Sequence, residues 1–235
     1  MALFTISDLH LPLGIDKPMD IFGTRWENYV EKIRTEWISA VGEDDLVVLP
    51  GDFSWATYLE ESKKDFEFLE SLPGKKILLK GNHDYWWSTL SKMRKFLKEN
   101  NFSSVDFLQN ESFIHSGIAI AGSRGWSYIG CGNPPKPEDK TIYERELIRL
   151  ELSIEAAKKL NPEEIIVFLH YPPINAECRE SGFSELMKKH GIKRCVYGHI
   201  HGRQEKNAVK GECGGIEYML VSCDCTGFSP TKLCD

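Results

Sequence analysis

The chain has 235 residues, enough for one substantial core, and its formal net charge is −6. The acidic balance, without any clustered basic stripe, argues against tight nonspecific nucleic-acid binding, and specific nucleic-acid binding is not expected either. No apolar run is long enough to span a bilayer, so no membrane association is expected.

In chain order, Leu3–Ile6 reads as a buried strand leading to Asp8 and His10. Apolar residues at helical spacing (Tyr29, Val30, Ile33, Trp37, Ile38) predict a helix within Trp26 to Val41. The run Leu46–Leu49 leads through one proline to Gly51-Asp52, and Ile77–Leu79 leads to Gly81-Asn82-His83-Asp84. Helices are expected over Tyr58 to Leu72 and Ser88 to Leu97, then short strands at Val105–Leu108, Phe113–His115 and Ile118–Ala121. Ile129 to Lys140 reads as a long irregular loop of the kind that forms lids or pocket walls. A helix over Thr141 to Leu160 follows, then the strand Ile165–Leu169 before His170, and a helix near Phe183–Lys189. Strands at Lys193–Tyr197, ahead of Gly198-His199-x-His201, and at Ile216–Ser222 complete the pattern. Parallel units followed by antiparallel strands fit an α/β sandwich of two mixed sheets flanked by helices. No linker, repeat or low-complexity segment divides residues 1–235, so one domain is expected.

Strand ends are where open α/β sheets place their ligands, so these motifs should converge on one patch. The side chains are imidazoles, carboxylates and one amide, which suit Mn, Fe, Zn or Co rather than a thiolate-bound structural zinc. They are too many for one ion and fit two ions sharing a carboxylate, a clamp for displacement at phosphorus. The charge of such ions would dominate locally and could attract phosphate even to an acidic protein.

The ordered series Asp8-x-His10, Gly51-Asp52, Gly81-Asn82-His83-Asp84, His170 and Gly198-His199-x-His201 resembles the calcineurin-like metallophosphoesterase superfamily. The surroundings of Asp8, the stretch Lys17-Pro18-Met19-Asp20 and the run Asn82 to Trp87 are similar to a prokaryotic subgroup of predicted phosphohydrolases. The resemblance implies a four-layer α/β/β/α sandwich and a hydrolase of phosphate esters using two divalent or trivalent metal ions. It implies that Asp8, His10 and His201 hold the first metal, that Asn82, His170 and His199 hold the second, and that Asp52 bridges them. A metal-bound hydroxide would attack phosphorus in line with the leaving oxygen, His83 would act as general acid, and Asp84 would orient the His83 ring. The family often carries a further acid after Gly51-Asp52, where this chain has Phe53-Ser54-Trp55, a departure that affects pocket shape only.

Asn82 and Arg124 are the expected substrate contacts, Arg124 as a bidentate partner for phosphate oxygens or else a surface ion pair. Tyr85-Trp86-Trp87 could stack on a base or aryl group, or plug helix against sheet. Trp55 and Trp87, if exposed, would be free for a contact between copies, and the sequence leaves oligomeric state open. The substrate is expected to be a phosphorylated small molecule or nucleotide. Alternatives on the same core are a phosphodiesterase, a nucleotide pyrophosphohydrolase, or a noncatalytic scaffold. His115 and His190 are read as nonfunctional, the latter as a helix-end cation. The seven cysteines, including Cys223-x-Cys225, are expected to be reduced thiols and no secretory leader is expected, so a cytoplasmic location is expected.

Overall fold

The computed structural model describes residues 1–127 and 137–235. Two mixed sheets pack face to face with helices on both outer faces, which is the expected four-layer arrangement. The first sheet runs β11 (Thr231–Cys234), β1 (Leu3–Thr5), β2 (Leu46–Pro50), β3 (Lys75–Leu79), β4 (Val105–Phe107), with β1 to β4 parallel and β11 antiparallel. The second runs β5 (Phe113–His115), β6 (Ile118–Ser123), β7 (Glu164–Leu169), β8 (Arg194–Tyr197), β10 (Ile216–Leu220), β9 (Gly211–Cys213). There β6, β7, β8 and β10 are parallel, and the edge strands β5 and β9 are antiparallel to their neighbours.

The strands read as continuous apolar runs because both faces of each sheet are covered. Alternate residues then feed different cores. Leu46 and Val48 of β2, Ile77 and Leu79 of β3, Ile118 and Ile120 of β6, and Ile166 and Phe168 of β7 form the layer between the sheets. Val47, Leu49 and Leu78 point the other way, onto Tyr29, Ile33 and Trp37 of α1 (Tyr29–Ala40), Phe66 and Leu69 of α2 (Lys63–Glu70), and Met93 and Leu97 of α3 (Leu90–Glu99). Ala119, Ala121, Val167 and Leu169 likewise meet Leu150, Ile154 and Ala157 of α4 (Pro137–Lys158) and Phe183 and Met187 of α5 (Gly182–Lys189).

Several expectations shift. Tyr58 to Leu72 splits into a 3-10 turn at Leu59–Ser62 and the shorter α2. Residues 137–140, expected as loop, open α4, and 129–136 lie outside the described residues. Trp86 is buried against Phe53 and Phe66 and belongs, with Trp87, to the core over the first sheet, so those two rings plug helix against sheet rather than offering a stacking face. Tyr85 alone of the three is exposed. Trp55 is buried as well, which removes it as a contact between copies. Cys195, Cys213, Cys223, Cys225 and Cys234 are free thiols, whereas Cys178 is disulfide-bonded, so uniform reduction does not hold. Among the described residues no helix is long and apolar enough to cross a membrane.

Asp65, at the start of α2, is fully buried and takes hydrogen bonds from the Ser54 hydroxyl and, at 2.8 Å, from Leu13 N–H. Burial dominates, pushing its carboxyl from 3.8 up to about 7. A raised folded-state value means the folded chain binds the proton more tightly than the unfolded chain. That contribution to stability is therefore full below about 3.8 and lost as pH rises through about 7. Urea unfolding at about pH 5 and about pH 8 should show Asp65→Asn flattening this decline relative to the native chain. An equal slope in both proteins would remove the burial argument.

Candidate metal centre

The carboxyl ends of the parallel strands in both sheets deliver the expected residues to one edge. Asp8 and His10 follow β1, Asp52 follows β2, Asn82 and His83 follow β3, His170 follows β7, and His199 and His201 follow β8. Two strand-end loops are zipped together there, with Asp8 N–H donating to Gly51 O and His10 N–H to Asp52 O, both at 3.0 Å. The two sheets join at the same place through a parallel bridge between Ser7 and Ser222, with Ser7 N–H donating to Val221 O at 2.9 Å.

The backbone is strained where the candidate ligands sit. Asp8, His10, Asp52 and His199 have φ of 61°, 46°, 54° and 71°. Such conformations in non-glycine residues cost on the order of 1–3 kcal/mol each and persist where surroundings enforce them. Two motif glycines have a different reason to be glycine. A Cβ on Gly81 would fall on the Asp52 carboxylate and backbone N, and one on Gly198 would fall on the side chains of Ser7 and Asp8. Both positions let a neighbouring loop approach at backbone distance.

Two groups of ligand-type atoms form. Asp8, His10 and His201 each bring one such atom within 4.8 Å of the others, and Asp52, His170 and His199 do the same. Asp52 lies between the groups, its Oδ2 being 3.7 Å from His10 Nε2 and 3.4 Å from His170 Nε2. Asn82 joins the second group, with Oδ1 2.7 Å from His170 Nε2.

The hydrogen bonding fits cations in both places. His170 Nδ1 is 3.1 Å from Pro50 O, a carbonyl that can only accept, so Nδ1 carries the proton and Nε2 presents a lone pair. That lone pair faces the acceptor oxygens of Asn82 and Asp52. Three acceptors meeting without a proton call for a positive ion. His201 is set from behind, Nδ1 at 2.8 Å from Asp224 Oδ1 and Nε2 at 3.3 Å from Asp8 Oδ1. This carboxylate–histidine–metal arrangement fixes a ligating ring. His10 Nδ1 is buried without a partner among the described residues.

The electrostatics agree. Burial works to raise the Asp8 carboxyl, yet His201, then His170 and His10, hold it well below the usual carboxylate range. Asp8 also accepts from the hydroxyls of Ser7 and Ser222 and from His199 N–H. Burial, then the neighbouring carboxylates of Asp84 and Asp8, push Asp52 well up. Burial lowers His10, His170 and His199, keeping these rings neutral as metal ligands require. His201 goes the other way: against burial, the carboxylates of Asp8 and Asp224 push its ring up to about 10, so in this position a cation would take the place of a proton.

The chain belongs to the calcineurin-like phosphoesterase family, whose model matches residues 1–203. Members of this family are metal-dependent phosphoesterases, and the two His/Asp groups point to two divalent ions. No curated protein matches the chain. Among solved structures, a protein of unknown function from Aquifex aeolicus superposes with TM-score 0.52 at 19% identity, covering 98% of this chain and 95% of its own. A phosphopantetheinyl hydrolase from Mycobacterium tuberculosis gives 0.54 at 14% identity, with 99% and 95% covered. A protein from Thermus thermophilus gives 0.54 at 13% identity, with 99% and 97% covered. At these identities the likeness is one of fold.

Two expected roles change. Asp84 does not orient the His83 ring. Its carboxylate is engaged by the backbone N–H groups of Gly81 (2.7 Å), Asp52 (2.9 Å), Phe53 (3.0 Å) and Ser54 (3.3 Å) and by Trp86 Nε1 (3.0 Å). It clamps the Asp52 loop, while His83 Nδ1 has no partner among the described residues. Arg124 does not reach the metal groups. Its guanidinium lies 3.7 Å from Glu146 and lines a separate cavity, and only its backbone carbonyl serves the centre, accepting from His170 and Tyr171 N–H.

Sequence reasoning missed Asp224. It follows the parallel strand β10 just as Asp8 follows β1, and that recurrence of strand-then-Asp was the available signal, obscured by the flanking cysteines. Missed too was the wall of the cavity over the centre. Trp55 stacks on the His10 ring at 4.6 Å and 22°, donates to Met19 Sδ at 2.9 Å, and carries Lys17 Nζ 3.1 Å above its ring. Within the stretch Lys17-Pro18-Met19-Asp20, Met19 thus lines the cavity and Lys17 covers the Trp55 ring.

Losing the Asp224 carboxylate frees the His201 ring, so Asp224→Ala should weaken one bound metal about 10–100-fold. Competition titration against a chelating dye measures this, and unchanged affinity would show that Asp224 does not orient the ligand.

Proposed function

We propose that this chain hydrolyses phosphate esters at a dinuclear metal centre. Asp8, His10 and His201 would hold one ion, Asn82, His170 and His199 the other, and Asp52 would bridge. The observation that supports this best is the pair of ligand groups facing each other across Asp52 in a chain of phosphoesterase ancestry. Ions of the Mn, Fe, Zn or Co type bound there would supply positive charge for the phosphoryl oxygens and an activated water. On this reading residues 1–235 act as one catalytic domain.

The residues around that centre have separate tasks. Asn82, with one amide oxygen toward the metal, has N–H donors left for a phosphoryl oxygen. His83 is the candidate acid. Its ring lines the cavity, 5.5 Å from the His10 ring and 4.5 Å from Trp55, and its N–H donates to Asp52 Oδ1 at 2.8 Å. Burial, then Lys17 and His199, push the ring down to about 4, so free imidazole predominates at neutral pH. A phosphoryl dianion arriving beside it favours the imidazolium, so the acid would be made ready by substrate. The proton then goes to the departing oxygen. Asp84 would act only by holding the Asp52 loop.

The cavity favours a substrate with more than a phosphate. It holds about 520 Å³, and Met19, Phe22, Trp26 and Trp55 form an apolar wall with Arg25 and Arg203 nearby. That volume is in the range of about 300–1,000 Å³ typical of small-molecule sites. Such a wall would contact the organic group esterified to the phosphate, so it favours a substrate whose ester group is apolar or aromatic, in a diester or a nucleotide as in a bulky monoester. Bis-p-nitrophenyl phosphate, p-nitrophenyl phosphate and nucleoside diphosphates would rank diester, monoester and phosphoanhydride cleavage, and a marked preference for a compact alkyl phosphate over all three would reject the wall as a substrate site.

Two measurements test the assignments. His83→Ala should cut kcat/KM for alkyl phosphates about 10²–10⁴-fold while sparing activated aryl esters, whose leaving groups need no proton. Equal losses on both substrates would rule out the acid role. Asp52→Asn should leave the protein deficient in both ions, as read by elemental analysis of the purified chain. Full occupancy at two ions per chain would contradict the bridge.

A further inference from the structure

A second cavity, of about 190 Å³, opens where β3 and β6 end beside α4. Lys80 follows β3, Arg124 follows β6, and Glu146 and Arg149 come from α4, and all four line it. Glu146 is fully buried. Its Oε1 meets three guanidiniums, Arg149 at 2.8 Å, Arg124 at 3.7 Å and Arg145 at 3.8 Å. One carboxylate therefore stands among three arginines and a lysine, a local excess of positive charge in a chain of net charge −6.

Two buried atoms here lack partners among the described residues, Glu146 Oε2 and Arg124 Nε. Buried polar groups are nearly always paired, so two orphans of opposite kind in one cavity specify an occupant. It must offer an acceptor to Arg124 Nε and a donor to Glu146 Oε2, and the surplus cations make it an anion. Sulfate has no proton to give, and neither does a carboxylate. The volume of about 190 Å³ suits a small ion, being below the roughly 300–1,000 Å³ of pockets that enclose larger ligands.

We propose that this cavity binds inorganic phosphate in a protonated form, its oxygens on Arg124 and Arg149 and its hydroxyl donated to Glu146. The site is separate from the metal groups but tied to them, because the Arg124 carbonyl accepts from His170 and Tyr171 N–H at 3.1 and 3.0 Å. Glu146 also acts as the selector. A buried acceptor repels an anion without a proton and rewards one that has it, the same logic by which unpaired polar groups reject isosteres elsewhere.

Isothermal titration of the full chain, stripped of metal by chelation, with inorganic phosphate and with sulfate tests this without any hydrolysis. Phosphate should bind at least about tenfold more tightly than sulfate. Arg149→Ala should weaken phosphate at least about tenfold, and Glu146→Gln should erase the preference over sulfate. Should Glu146→Gln fail to fold, the comparison of the two anions on the native chain and the Arg149→Ala titration still decide. No binding, equal affinity for sulfate, or phosphate binding unchanged in Arg149→Ala would each overturn the proposal. Because the readout is heat on metal-free protein, those results leave the hydrolytic reading untouched.

Discussion

The fold depends on what happens at Asp8, where the two sheets meet. A fully buried carboxylate is costly unless surrounding groups replace its hydration. Here the replacement comes from both sides of the seam. Ser7 belongs to the first sheet's β1 extension, Ser222 to the end of β10, and His199 to the loop after β8. The same contacts that make Asp8 tolerable therefore lock one sheet against the other. Asp52 and Asp84 add two more buried carboxylates within the same loops. Asp84 is satisfied by four backbone N–H groups and an indole, but Asp52 is pushed upward by its neighbours. A centre with that much unshared negative charge and so many free imidazole lone pairs is completed by cations, which links metal binding to the stability of the seam.

The placement of the candidate ligands was legible because the strands that carry them are buried on both faces. Val47-Val48-Leu49 and Ile166-Val167-Phe168 are unbroken apolar runs, so the point where each run stops marks the edge of the sheet. Side chains at that edge must converge once the strands are parallel. Two of the four edge strands were another matter, although β4 and β5, equally short, were read. Gly211–Cys213 and Thr231–Cys234 are short and partly buried like β5, but Gly-Glu-Cys and Thr-Lys-Leu-Cys lack the aromatic and β-branched pair that made Phe113-Ile114 legible.

What the sequence could not reveal was partnership across loops. His83 and Asp84 are adjacent, and the family resemblance implied a donor–acceptor pair. In space Asp84 turns inward to the N–H groups of residues 52 to 54, a set that no local spacing encodes. Arg124 illustrates the same limit. Its position after a strand made it a plausible phosphate partner at the centre, yet α4 brings Glu146 beneath it and draws the guanidinium away. Trp55 is the converse case. It looked like an exposed aromatic, and its burial comes from Met19 and Lys17, over thirty residues earlier in the chain, folding across it.

These differences separate chemistry from specificity. The parts set by strand ends are the ligands, and a geometry shared by many strand-end sites can be carried in short motifs with fixed internal spacing. The parts set by long-range packing are the walls: Met19, Phe22, Trp26 and Trp55 on one side, Arg25 and Arg203 on another. Arg25 shows how closely the two are coupled. It donates to Asp224 O at 3.0 Å and lies 3.5 Å from the Asp224 carboxylate, which in turn holds the His201 ring. A substrate anion that draws Arg25 toward itself would loosen one of the groups steadying Asp224, so the wall that selects the substrate also sets how firmly one ligand is held. Variation in residues 17 to 26 should therefore alter specificity and metal affinity together, even though none of those side chains belongs to either ligand group.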